Sequence, residues 1–133
     1  MERPGLETIV TLLSRDLRVA GDRYSLEIGP PPRHISALLG PPSPDAVIAF
    51  SADGMVCMWL HFWRTDDWLE ELASAIDQVQ DEVMEHETEL WPECPLHRHS
   101  LIPRPRDGRV VWECMDTDQV FAELGALPDS FAI

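Results

Sequence analysis

The spacing of apolar and polar residues changes several times along the chain, and each change marks a different element. In PGLETIVTLLSRDL, Leu6, Ile9, Val10, Leu13 and Leu17 recur at three- and four-residue steps. That is one face of a helix, predicted near residues 5–17. RYSLEI has period two: Tyr24, Leu26 and Ile28 alternate with Ser25 and Glu27, as in a half-buried strand, and the AGD before it is turn material. The proline-rich pieces GPPPR and GPPSPD bracket HISALL, which fits one helical turn or a covered loop.

AVIAF, SADG and MVCMWLHFW read as a hairpin, two apolar runs around an Asp53-Gly54 turn. Neither run alternates cleanly, which predicts strands covered on both faces. Cys57 lies inside the second run with no ligand partner close in sequence, so it reads as a small core residue.

The longest regular pattern is RTDDWLEELASAIDQVQDEVMEHETELW. Asp66 or Asp67 can cap its start, and early acids suit the positive end of the helix dipole. Leu69, Leu72, Ile76, Val79, Val83 and Leu90 form its apolar stripe. The stripe's Leu72–Val83 part is expected to pack on the hairpin of Val47–Phe62. His86 falls on the stripe between Val83 and Leu90, as a hydrogen-bonded edge residue or as a pH-sensitive or ligand-contacting one. A di-metal bundle site needs Glu-x-x-His, and Val83 occupies the glutamate position. Zincin spacings are absent as well, so the helix acids read as a solvated face.

Composition narrows the picture. A chain of 133 residues, 44% of them hydrophobic, fits one domain with a single core. The run IVTLL is too short for a signal segment, and no stretch approaches the roughly 20 apolar residues of a membrane span. Three cysteines argue against a secreted disulfide scaffold, so a reduced, cytoplasmic protein is expected. All ten basic residues are arginine; without lysine, Schiff-base, pyridoxal-phosphate and phosphate-loop chemistry are excluded. A net charge of −14 argues against direct binding to nucleic acid or an anionic membrane. Eleven acids lie between Asp66 and Glu93 with no arginine, whereas Arg98–Arg109 holds four arginines and one acid. These two segments are expected to pair within the fold.

Chemistry concentrates near the C-terminus. In ELWPECPLHRHS, Cys94 and His97 are separated by two residues like the ligands of a zinc knuckle, with Pro95 helping set the bend. SLIPRPRDGRVVWEC then reads as a hairpin around Asp107-Gly108 that returns the chain to Cys114. The next ligand position holds Thr117, a poor partner for zinc. His99 supplies the missing ligand if the chain runs extended past His97, because residues two apart then face one side. The expected zinc ligands are therefore Cys94, His97, His99 and Cys114, with Asp116, Asp118 or water as alternatives to His99. Two buried thiols without metal, or a Cys94–Cys114 disulfide, are the competing readings.

The order Trp91, Pro92, Cys94, Pro95, His97, His99 and Leu101, then Asp107, Gly108, Val111, Trp112 and Cys114, resembles the C-terminal part of small uncharacterised proteins of high-GC bacteria. DQVQDEV is similar to the helix preceding it there. The resemblance covers about the last half of the chain. It implies that the four ligands belong together and implies no activity.

The expected architecture is a single α+β domain over residues 1–133. An antiparallel sheet packed by one long amphipathic helix forms a core over 1–90, and a zinc-ribbon-like subdomain with a C-terminal tail follows over 91–133. The expected role is a non-catalytic, acidic protein-interaction module with a structural zinc and a protein partner. The alternatives are a zinc-dependent hydrolase with water at the fourth position and Glu93 or Glu113 as base, and an acidic inhibitor or nucleic-acid mimic.

Overall fold

The structure, a computed structural model, describes residues 4–40, 44–62 and 67–133, so Asp66, one of the two candidate helix caps, lies outside it. Helix α1 (Leu6–Ala20) runs three residues beyond the predicted span, because Ala20 continues the buried face of Ile9, Leu13 and Leu17. Gly21 ends it, its N–H bonding the Leu17 carbonyl. One polar residue joins that buried face: Asp16.

Strands β1 (Tyr24–Gly29), β2 (Val47–Ala52) and β3 (Met55–Leu60) form an antiparallel sheet with β2 at its centre. Asp53 and Gly54 both have positive φ, the two-residue turn that Asp-Gly favours. Val47, Ile48, Phe50 and Ala52 bury β2 as expected. β3 departs from expectation: Met55 is 75% exposed and Val56 47%, since β3 is an edge strand and its first half has no cover. HISALL is a full helix, α2 (Arg33–Leu39), whose His34 ring meets Trp59 edge-on at 5.3 Å.

Helix α3 (Trp68–Glu87) buries Leu72, Ala73, Ala75, Ile76, Val79, Gln80 and Val83. Asp67 occupies its N-cap position but makes no capping bond, and Leu90 lies past the helix end with 41% exposure. The second sheet, β4 (Ile102–Arg106), β5 (Arg109–Glu113) and β6 (Val120–Glu123), is antiparallel with β5 central and turns at Asp107-Gly108, again with both residues at positive φ. Only the first two strands of this sheet are expected from the residue pattern.

The α3 backbone comes closest to β4 and β5, while its stripe shares a core cluster with Ile48, Phe50 and Leu60 of the β2–β3 hairpin. Helix α1 lies against β1 of the first sheet. One hydrophobic cluster nevertheless joins α1, the first sheet, α3 and the second sheet, so a boundary at residue 90 separates sheets without dividing the core. Val79 is fully buried in that cluster. Val79→Ala should lower stability by about 2 kcal/mol in denaturant unfolding, and Glu70→Gln on the exposed face should change it by less than about 0.5 kcal/mol. Equal midpoints for the two variants would refute the stripe assignment.

The acidic and basic segments do not pair as expected. Arg106 bonds Glu113 and Arg109 bonds Glu123, both within the second sheet, while Glu87 of the helix pairs with Arg23. In the register Arg106 faces Arg109 and Glu113 faces Ile102, so the Arg106 side chain reaches along the hairpin to its acid. No helix among the described residues is long and apolar enough to cross a membrane.

Candidate metal centre

Gln80 anchors the site's first loop. Buried in α3, it donates from Nε2 to the Trp91 carbonyl at 3.0 Å and to the Leu101 carbonyl at 2.5 Å, holding both ends of the segment between them. Trp91 then packs edge-on against Trp112 of β5, 5.7 Å between ring centres, which brings that segment beside the end of β5.

The two cysteines open loops of the same construction. The Cys94 N–H bonds the His99 carbonyl at 2.9 Å, and the Cys114 N–H bonds the Gln119 carbonyl, also at 2.9 Å. Inside each loop a second N–H returns to the cysteine's own carbonyl, from His97 in the first and Asp118 in the second. Each loop thereby folds back over its own cysteine, and the two cysteines, buried to 2% and 0% exposure, meet with His97 between them.

His97 Nδ1 lies 3.5 Å from Cys94 Sγ and 3.4 Å from Cys114 Sγ. A tetrahedral zinc with sulfur at about 2.3 Å and nitrogen at about 2.0–2.1 Å would separate those atoms by about 3.5 Å. Three of the four expected ligands therefore stand at metal-ligand spacing, and Cys94, His97 and Cys114 could hold a metal ion. Both sulfurs are free thiols.

His99 is placed differently. The segment past His97 bends instead of running extended, because the Cys94–His99 backbone bond curls it back. The two imidazoles still share a side, stacked at 5.1 Å with 10° between planes. His99 Nε2 meets Asp116 Oδ2 at 3.0 Å, and His97, His99 and Asp116 form a second close group adjoining the first through His97. The Ser100 carbonyl, followed by Asp116, raises the His99 pKa above its usual value. Asp118, the other carboxylate considered for the fourth position, lies 4.0 Å from Arg106.

Thr117 has a role that its place in the ligand pattern did not reveal. Its hydroxyl donates to the Cys114 sulfur, and with the N–H groups of Asp116 and Thr117 it brings the thiol pKa down to about 6 against the opposing effect of burial. The residue in the incomplete ligand position thus favours the thiolate of Cys114, three positions earlier. Glu113, by contrast, is fully buried and turned away from chemistry. Arg106 Nε and Nη2 donate to its two oxygens at 2.7 and 2.9 Å, holding it below the usual carboxylate range.

A groove of about 660 Å³ passes Cys94 and His97, walled on the far side by Phe131 and Ile133 of the C-terminal segment. Glu93, exposed, lies on its rim. The chain matches no family model, no curated protein and no solved structure.

Proposed function

We propose that the protein is a non-catalytic, acidic interaction module in which Cys94, His97, His99 and Cys114 hold one structural zinc ion. The observation that carries the reading is the pair of like-built loops, each opening on a buried cysteine, with His97 at tetrahedral spacing from both sulfurs. His99 would supply the fourth ligand: Asp116 on Nε2 is the carboxylate contact that commonly orients a metal-bound histidine, and Nδ1 would exchange its 3.2 Å contact with the Ser100 carbonyl for the ion. Four side-chain ligands leave no place for an activated water. The hydrolase alternative also loses one of its two bases, because both oxygens of Glu113 are engaged by Arg106.

The interaction surface is the outer face of α3. Glu70, Asp77, Asp81 and Glu85 follow one another at helical spacing on its exposed side, and no arginine among the described residues pairs with them. Asp77 titrates above its usual value through burial and the neighbouring charge of Asp81, so this face gains from a cationic partner. The partner class that fits is an arginine- or lysine-rich protein surface, with neither nucleic acid nor membrane bound directly.

An arginine-rich peptide, titrated at low ionic strength, should bind about tenfold more weakly to the Asp77→Asn, Asp81→Asn, Glu85→Gln triple variant than to the unaltered protein. Added salt should weaken the unaltered complex. Equal affinity of the two proteins would reject this face as the contact.

A further inference from the structure

We infer that Cys57, Glu82 and His86 form a second, solvent-facing binding site for a zinc-class divalent ion. The three residues come from β3 and α3, and their Sγ, carboxylate and imidazole atoms lie within 4.8 Å of one another. Glu82 and His86 are one helical turn apart and so face the same way, toward the strand that carries Cys57.

The geometry distinguishes a metal site from the other reading of such a trio, a nucleophilic triad. In a triad the sulfur and the carboxylate contact opposite nitrogens of the imidazole, one activated and the other orienting. Here both converge on the same nitrogen: Cys57 Sγ is 3.5 Å from His86 Nε2, and Glu82 Oε2 is 3.7 Å from it. Three ligand atoms around one point is the arrangement a cation organises. The sulfur–nitrogen distance equals the tetrahedral edge of about 3.5 Å, and the carboxylate needs only a small torsion to reach its edge of about 3.3 Å.

The surroundings hold the histidine and leave the site open. The His86 ring stands edge-on to Tyr24 at 6.4 Å, and Tyr24 Oη donates to Glu87 Oε2 at 2.5 Å, so the adjacent carboxylate is occupied elsewhere. The His86 and Glu82 side chains are 33% and 32% exposed. One thiolate, one carboxylate and one neutral imidazole balance a divalent charge and suit a borderline-soft ion, not calcium or magnesium, which take oxygen ligands. Three protein ligands leave a fourth position for solvent, so this ion would exchange, unlike one enclosed by Cys94 and Cys114. Bound there, it would clip the edge strand β3 to the C-terminal end of α3.

The inference is independent of the first site, and the test reads it separately. Zinc bound by the whole chain in equilibrium dialysis should fall by about one equivalent in Cys57→Ser and again, separately, in His86→Ala. Glu82→Gln should keep the equivalent with affinity lowered at least about tenfold. The melting temperature of metal-free Glu82→Gln should match that of the metal-free parent, since that side chain is 32% exposed, whereas Cys57 packs half-buried against the core. Unchanged zinc stoichiometry in either Cys57→Ser or His86→Ala would overturn the second site, whatever the occupancy of the first.

Discussion

Asp16→Ala should destabilise the protein by about 3–5 kcal/mol and leave much of it unfolded at moderate temperature. The residue is fully buried in α1, and its carboxylate accepts three hydrogen bonds. Trp112 Nε1 and the Gly125 N–H reach Oδ2, each at 2.8 Å, and the Leu127 N–H reaches Oδ1 at 3.0 Å. Alanine strands all three donors, each costing about 1–3 kcal/mol when buried without a partner, and water entering the vacated space recovers part of the sum. Against a total of about 5–15 kcal/mol that loss is large. Asp16→Asn should cost less, about 1–3 kcal/mol, because its carbonyl keeps the two bonds at one oxygen and its amide opposes the Leu127 N–H.

The same residue carries a pH signature. Burial raises the Asp16 pKa on folding, and the bonds from Trp112, Gly125 and Leu127 only partly oppose it. The folded chain then keeps this proton to higher pH than the unfolded chain. The associated stability is fully present below the ordinary carboxylate pKa and is lost as pH rises through the folded value. The margin of the parent over Asp16→Asn should therefore narrow from acid toward neutral pH. Denaturant midpoints at a series of pH values check both statements; a constant margin would contradict the second, and a stable Asp16→Ala the first. Gly125 belongs to the same joint: its φ is +91°, and an added Cβ would sit 2.5 Å from Leu12 Cδ2, so no other residue carries this N–H to Asp16 without strain.

Removing metal from the zinc-loaded protein should lower stability by about 4 kcal/mol, the linkage expected at free metal about a thousandfold above Kd. In melting temperature this is a fall on the order of 10 °C. The measurement is best made in Cys57→Ser, where the surface trio contributes nothing. In that background Cys114→Ser and Cys94→Ser should each abolish zinc binding and gain nothing from added metal. His99→Ala should weaken affinity and stability together, whereas Asp116→Asn should have the smaller effect of an orienting contact. A chelator that leaves the melting curve in place would reduce the trio to two buried thiols hydrogen-bonded to an imidazole. A water at the fourth position, found by spectroscopy of the bound ion, would return the hydrolase reading with Glu93 as its base.

Much of the local structure was legible from residue spacing. Both Asp-Gly turns, the strand at Tyr24–Ile28, the first helix and the stripe from Leu72 to Val83 follow from contacts within a few positions of each residue. So did the ordering of Cys94, His97 and Cys114, since a knuckle is a short loop and a hairpin returns the chain by a known distance. β6 escaped notice because Val120, Phe121 and Ala122 have no alternation to mark a strand; β5 supplies its ladder.

What tertiary structure decided is which distant residues meet. Asp16 and Trp112 are 96 positions apart and Cys57 and His86 are 29, and no period in the chain couples either pair. The burial of α3 also depends on distant partners, since one core cluster joins its stripe to residues of α1 and of both sheets. His99 likewise turns on the bend closed by the Cys94 N–H and on an aspartate brought round by the second loop. Local order follows from backbone geometry and side-chain period, which act over one or two turns of chain. The side chains that could hold a metal come together only where separate turns of the chain are packed side by side.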